Sequence, residues 1–394
     1  MANEHIGRLQ AIGLGKESTS GTAVAATDWV AKVSGEFAPE FETAVNEAAY
    51  GVIDGLKDQQ TVKNTTKVSL SAMVNDKIIG HLLNATFGQS HACVAFPVSG
   101  VSGNFVVGET ITQSTSLATG VLRRADIGVG TPTLYIVPST GTFTGGQTLT
   151  GATSGATATG GTIQTPSAVR THVFRRANTN SHPSYTIYGS DPVGNERATY
   201  CMLDSLEIEC VVGDYCKFTA EFMGKKITTT TAQTPSYTEA SNFLAKFATV
   251  KIENTFTALD AGTPVSVERF KITFTKNLES YQAFGDTDVA SLHNKRFDVV
   301  GDMDLIYNST THRDAVASST KKAIRLTINN TDVTIGTTTP MMQIDMPQVS
   351  FSEWSRSGEN DELVRQTIGF IAEFNVDRSM TAEALLRNTQ ITNY

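Results

Sequence analysis

Apolar and polar residues alternate along most of this chain, and the alternation recurs in matching blocks. Val33 to Phe41 and Val265 to Phe274 each hold two phenylalanines four residues apart, Phe37 with Phe41 and Phe270 with Phe274, which a strand places on one face. Each block runs into a polar, acidic excursion, Glu42 to Lys63 and Lys276 to Lys295, carrying Tyr50 and Tyr281 respectively. Structureless loops of that length are uncommon inside a compact domain, so extended hairpins or neighbour-contacting loops are expected.

Alternation resumes over Lys67 to Val74 and Asp298 to Tyr307. After the first, Asn75 or Asp76 can cap a helix in which Ile78, Ile79, Leu82 and Leu83 form one apolar face and which Gly88 stops. After the second, Ser309 or Thr310 precedes a weaker helix over His312 to Ala317. Strands are then predicted over Ser184 to Tyr188, Met202 to Val212 and Tyr215 to Met223, and again over Ile324 to Ile328, Met341 to Trp354 and Leu363 to Val376. Both series close on the same letters, Phe218, Ala220, Glu221 and Phe222 against Phe370, Ala372, Glu373 and Phe374. Recurrence in one order predicts an internal duplication, with Phe218, Phe222, Phe370 and Phe374 packing equivalent cores.

Residues 96–165 have no counterpart in the second series and carry a repeat of period 38. Gly103, Phe105, Gly108, Thr110, Thr112, Thr115, Ser116 and Ala118 recur as Gly141, Phe143, Gly146, Thr148, Thr150, Thr153, Ser154 and Ala156. A phenylalanine fixed at one period argues for folded half-units rather than a flexible tract. Closing a longer loop costs only about 0.6 kcal/mol per doubling of length, so an outer loop can carry such a module.

The expected fold class is mostly β: two tandem sandwich or barrel units, each with one short helix, plus a small all-β inserted domain. Residues 1–95 with 166–227 form a discontinuous first unit, 96–165 the insert, 228–241 a Thr-rich linker, 242–376 the second unit and 377–394 a C-terminal arm. Within the arm, Thr381 to Asn388 reads as a short capped helix.

Composition agrees with a strand-rich chain: charged residues are 18% of the 394, while Thr, Ser, Ala, Val and Gly abound. The formal net charge of -8 argues against a sequence-independent grip on phosphates, which needs clustered Lys and Arg. The densest basic points, Arg123-Arg124 and Arg175-Arg176, send neighbouring side chains to opposite faces of a strand rather than into one patch. Trp29 and Trp354 read as core or interface anchors.

Catalytic chemistry finds no foothold. Ile12 to Ser18 resembles a phosphate loop only briefly, because Gln10 and Glu17 stand where a glycine and a Ser or Thr are required. His81, His91, His172, His182 and His312 fall in no zinc-protease pattern, and no nucleophile elbow surrounds a serine. Cys93, Cys201, Cys210 and Cys216 match neither a redox pair nor a zinc knuckle and read as small buried thiols. Glu207 and Glu209 share one strand face, expected to be a solvated or lumen-facing edge rather than an acid–base pair. No catalytic, cofactor-binding or metal-binding residue is assigned. The absence of an apolar leader or of a run of about eighteen apolar residues predicts a soluble chain made in the cytoplasm, with no membrane partner.

The stretch Ala11 to Thr27, followed by Trp29 and Val30, resembles the N-terminus of tailed-bacteriophage major tail tube proteins, with Gly13, Gly15, Glu17, Gly21 and Thr22 matching a Gly-x-Gly-x-Glu-x-x-x-Gly-Thr pattern. The order of strand, long polar loop, strand, Asp76-to-Leu83 helix and further strands is the family's too, and the Gly/Thr-rich insert is similar to accessory modules of phage virion proteins. The resemblance implies a structural virion protein, not an enzyme, which polymerises as stacked rings into the tail tube and forms the channel for DNA ejection. Other ring-forming tail components (a terminator or baseplate hub) and a carbohydrate-binding virion adhesin are the alternatives.

Family rings hold six fold units, so a two-unit chain implies homotrimers with pseudo-sixfold symmetry, against homohexamers with an outer domain. The implied partners are copies of itself, the tape measure, terminator and baseplate proteins, and genomic DNA passing through the lumen without specific binding. The excursions Glu42 to Lys63 and Lys276 to Lys295 and the C-terminal Thr381 to Asn388 are the expected inter-ring contacts. No cofactor is implied, and the place of action is the virion tail, assembled in the host cytoplasm.

Overall fold

The computed structural model describes residues 6–48, 50, 51, 53, 58–128, 131–162 and 168–394. Parts of three expected features lie outside them: the first five residues, the tip of the Glu42 to Lys63 excursion and the end of the insert at 163–165.

Alternating β-branched and aromatic residues make strands in nearly every segment. The chain opens with β1 (Ala11–Lys16), β2 (Asp28–Val30), β3 (Lys32–Asn46) and β4 (Asp58–Met73). β3 and β4 form one long hairpin whose register runs from Lys32 opposite Ala72 to Asn46 opposite Asp58, so the acidic excursion is its distal half. Helix α1 (Ile78–Phe87) follows as its signals predict. The Asn75 side-chain oxygen accepts the N–H groups of Lys77 and Ile78, and Gly88, at φ +84°, closes the other end.

Next come β5 (Ser90–Ser102), β6 (Thr110–Gln113), β7 (Thr119–Asp126), β8 (Thr133–Thr140), β9 (Thr148–Gly151) and β10 (Thr157–Gly160). They pair in the closed cycle β5–β8–β7–β6–β9–β10–β5, a six-stranded barrel without a free edge. Thr112 pairs with Thr150 and Phe96 with Leu134, residues related by the 38-residue repeat itself, so an approximate two-fold axis crosses the barrel at these two places. Phe96, Phe105, Ile111, Leu122, Leu134, Phe143 and Leu149 fill the interior. Gly103 and Gly141 both take positive φ, and a side chain on either would strike Ala156 or Ala118 of the opposite half.

The remaining elements are β11 (Arg170–Arg175), β12 (Tyr185–Ser190), β13 (Asn195–Val211), β14 (Lys217–Lys225), β15 (Thr228–Thr229), β16 (Ala248–Glu253), β17 (Pro264–Val265), β18 (Val267–Thr275), β19 (Glu279–Tyr281), β20 (Ser291–His293) and β21 (Asp298–Ile306). Helix α2 (Thr311–Ala317), β22 (Lys322–Asn329), β23 (Met341–Ser357), β24 (Arg365–Ala372) and β25 (Glu383–Asn388) complete the chain. The Thr-rich segment 230–241 has no regular element.

Two antiparallel series run in the same order: β2–β1–β12–β13–β14–β4–β3 and β17–β16–β22–β23–β24–β21–β18. Their register slips coincide as well. Slips at Lys32/Ser34, Tyr185/Ile187 and Leu203/Ser205 answer slips at Val267/Arg269, Lys322/Ile324 and Phe351/Glu353. One apolar core spans both series, from Leu14, Leu70, Leu82 and Phe222 to Phe274, Leu326, Ile344 and Phe370.

Three expectations need correction. The paired bulges put Phe222 where Phe370 stands in the second series, opposite Leu203 and Phe351, so the Ala-Glu-Phe letters align out of step with the strands. Phe374 lies beyond β24, is 58% exposed and packs no core. Finally, Thr381 to Asn388 holds a strand, not a helix. β25 is inserted between β11 and β23, burying Ala384 and Leu386 on one face and Leu385 on the other, and this two-sided burial overrides the helical preference of Ala-Glu-Ala-Leu-Leu. That segment belongs to the chain's own sheet and is no projecting contact arm.

Candidate assembly interface

The two series meet along one seam, β13 against β18, with Ser205 opposite Thr275 and Val211 opposite Arg269. On its inner face Leu206, Ile208 and Cys210 interleave with Phe274, Ile272 and Phe270, all buried. On the other face Glu207 meets Lys271 at 2.8 Å and Glu209 meets Arg269 at 2.7 Å, while Arg269 also reaches Asp302. Hydrogen bonding to Glu209, acting against partial burial, raises the Arg269 guanidinium above its ordinary value. Glu207 and Glu209 thus share one face as expected, but they bind cations across the seam instead of lining a free edge.

The second excursion folds back on this seam. Its β19–β20 hairpin is tied down by the Leu278 N–H to Asp204 at 2.8 Å, and Val289 and Leu292 pack on Met202. The Asn64 N–H donates to the Thr287 carbonyl at 2.8 Å and the Lys226 N–H to Asp288 at 3.1 Å. This excursion therefore joins the second series to β4 and β14 of the same chain. At its root Lys276 is buried and donates to the Ala85 carbonyl at 2.9 Å; burial, partly offset by Asp204, lowers its ammonium to about 7.

Among the edges left open in the described residues are those of β3, which pairs only with β4, and of Glu353–Ser357 in β23, which pairs only with β24. Beside β3 lies a cleft of about 530 Å³ lined by Ile12, Gly35, Phe37, Gly189, Asp191 and Glu196. On β23, the half-buried Trp354 donates its indole N–H to Gln366 at 3.0 Å, and the Arg356 guanidinium stands 5.5 Å over the Tyr307 ring.

The N-terminal glycine pattern has a packing cause. A side chain on Gly13 would come within 2.8 Å of Ala26, and one on Gly15 within 2.4 Å of the Ala25 carbonyl oxygen, because β1 lies flush against the segment before β2. Glu17 is buried and accepts four hydrogen bonds, from the Gly21 N–H and Ser184 hydroxyl at 2.7 Å and the Thr186 hydroxyl and Tyr200 N–H at 2.9 Å. The carboxylate that excludes a phosphate loop staples this segment to β12 and β13.

Residues 7–372 match a family described as phage tail tube protein. The chain belongs to the phage tail tube protein family. No individual curated protein matches it. Family membership makes it a structural, non-enzymatic component of the virion tail.

In this tail tube protein the small barrel is locked to the main sheet by charges the sequence reading missed. The Arg124 guanidinium, fully enclosed, bridges Asp126 at 2.8 Å, Asp345 at 2.7 Å and Glu383, which also binds Arg175. Arg325 completes the group, joining Asp345 at 2.6 Å and Asp260 at 2.7 Å. Burial alone would raise the Asp345 carboxyl, yet Arg124 and Arg325 hold it below its ordinary value; at Asp126 burial prevails and the carboxyl is raised. Arg123 stands at a register slip of β7, between Leu122 and Arg124, so strict alternation of faces does not hold for this pair, and its charge acts on His91 together with that of Arg175.

The other chemistry-bearing residues are buried structural groups. All four cysteines are free and buried. Burial lowers His91, His172 and His182 to about 4, keeping their rings neutral at physiological pH. Trp29 packs between Ala11 and Tyr188. Among the described residues no group of three His, Cys, Asp or Glu could hold a metal ion, and no helix is long and apolar enough to cross a membrane.

Proposed function

We propose that this chain carries two copies of the tube fold and polymerises through rings of three chains, stacked into the tail tube whose lumen conducts DNA. The observation that carries this reading is the twofold occurrence of one strand-pairing order with three register slips in matching places. Independent β meanders share alternation, but they have no reason to share the positions of their bulges. The units are residues 1–95 with 166–227 and residues 242–376, with 96–165 as an outward module and 228–241 as the connection between them. A net charge of -8 suits passive conduction, since DNA slides past a wall that forms few phosphate contacts.

Electron microscopy of concentrated protein tests the reading. Long hollow tubes whose rings show three outer knobs, one per small barrel, are expected. Six knobs would replace the trimer by a hexamer, and isolated closed rings without tubes would point to another ring-forming tail component.

A further inference from the structure

We propose that Cys210 and Cys216 form a modification site, at which a peroxide joins the two thiols into a disulfide across the closed end of the β13–β14 hairpin. The site lies within one chain, so it does not depend on how chains assemble.

The strand register brings the two residues together. The β13–β14 ladder ends with Glu209 opposite Lys217, and the next step sets Cys210 opposite Cys216. Their backbone groups face away from each other. Cys216 donates its N–H to the Phe243 carbonyl at 2.9 Å, and its carbonyl accepts the Val74 N–H at 2.8 Å, both on the side away from β13. Even-numbered residues of β13 bond instead towards β18, as the Lys276 N–H to the Asp204 carbonyl and the Val212 N–H to the Glu268 carbonyl show. Cys210 follows their parity. A cross-strand pair without hydrogen bonds of its own makes the closer approach, with Cα atoms about 4.5 Å apart, within the range that a disulfide spans. Both side chains belong to the same buried core. The Cys216 thiol, and burial after it, raise Cys210 well above the ordinary thiol value.

The other two cysteines point elsewhere, Cys93 to the His91 carbonyl at 3.3 Å and Cys201 to the Ala198 carbonyl at 3.6 Å. Cys210 alone of the four lines a space of about 50 Å³, with Val212, Ala245, Val250 and Phe270 around it. A space of that size takes a molecule no larger than a few atoms, so it admits hydrogen peroxide and excludes a bulky disulfide reagent.

The chemistry balances with peroxide as the sole oxidant. Cys210 gives up its proton and its sulfur attacks one peroxide oxygen; the O–O bond breaks, and the leaving hydroxide takes that proton as water. The Cys216 sulfur then displaces the hydroxyl of the resulting sulfenic acid, and its proton leaves with that hydroxyl as a second water. Two thiols are oxidised to one disulfide while one peroxide is reduced to two waters. Because Cys210 rests as the neutral thiol, the reaction is slow and quickens as pH rises.

The link ties β13 to β14 beside the place where Phe243 enters the core and Tyr215 bridges to Leu244. Reducing cell interiors keep such thiols apart and oxidising surroundings join them. A newly made chain therefore folds with this hairpin unlinked, and a particle outside the cell acquires the staple.

The test exposes the reduced, folded full-length protein to hydrogen peroxide, then alkylates the remaining thiols in denaturant for mass spectrometry. Cleavage before Asp204 and Asp214 puts Cys201, Cys210 and Cys216 on separate peptides. Cys210 and Cys216 are expected to lose alkylation together, their peptides to appear joined, and a reducing agent to restore both. The joined product should exceed oxidation at Cys93 or Cys201 about ten-fold, since neither has a second thiol to capture a sulfenic acid. Cys216→Ala should halt at a Cys210 sulfenic acid that dimedone traps. Thiols still free after prolonged exposure, oxidation that ends in separate sulfinic acids, links between different chains, or linking that requires urea would each overturn the proposal.

Discussion

Glu109 and Ser154 face each other across the small barrel, the carboxylate accepting the Ser154 N–H and the Ser154 hydroxyl, each at 2.9 Å. The same carboxylate accepts the Thr153 and Val106 N–H groups at 3.0 and 2.7 Å. Gln147, its repeat counterpart, accepts the Thr115 and Ser116 N–H groups at 3.0 and 2.9 Å. Each half of the barrel thereby ties down a turn of the other.

Glu109→Ala leaves these donors without their acceptor and is expected to cost about 1–3 kcal/mol. Glu109→Gln should cost less than half as much, because Gln147 already performs the same task uncharged. Urea unfolding of both variants, with hydrogen exchange at Thr153 and Ser154, checks the pair.

Arg124→Met removes the buried cation that Asp126, Asp345 and Glu383 share, leaving Asp345 to Arg325 and Glu383 to Arg175, and a loss of about 3–5 kcal/mol is expected. Neutralising the acids in the same chain, as Arg124→Met with Asp345→Asn and Glu383→Gln, should recover much of it. A triple variant no more stable than the single one in thermal unfolding would mean that the charges are not what joins barrel to sheet.

Lys276 sets a pH dependence of known sign. Its folded value of about 7 lies below the ordinary lysine value, so between about pH 7 and 10 the unfolded chain binds a proton that the folded chain does not. Stability should therefore rise with pH across this window. His91, His172 and His182, lowered to about 4, add a fall in stability as pH drops from about 6.5 towards 4. Lys276→Met should flatten the alkaline rise and leave the acid limb, as pH-resolved denaturant titrations would show.

Gly15→Ala puts a methyl group within 2.4 Å of the Ala25 carbonyl oxygen, which belongs to backbone and cannot swing aside. A loss of about 1–3 kcal/mol is expected from the forced shift. Gly7→Ala, whose new methyl meets nothing within 4 Å, serves as the control. Equal melting temperatures for the two would remove the packing account of the glycine pattern.

Local signals were legible where a single residue type answers a single backbone need. Asn75 and Gly88 bracket α1 because capping is decided within one turn. The insert's period survived reading because Gly103, Gly108, Gly141 and Gly146 all occupy positive φ. Long-range placement was less legible. Inward-facing positions recur every other strand residue, so the Phe218 and Phe370 motifs could be matched out of step with the bulges. Thr381 to Asn388 has helical composition, and only burial between β11 and β23 makes it a strand. Arg124, Asp345 and Glu383 come from distant parts of the chain, and no spacing rule joins them.

The β13–β18 seam has both strands in one polypeptide, joined through the Thr-rich segment 228–241. Its closure is governed by the effective concentration the tether imposes, not by how much protein is present. Dilution can separate one chain from another, yet it cannot part the two strand series, so the smallest piece that any disassembly releases already holds a finished, charge-reinforced joint.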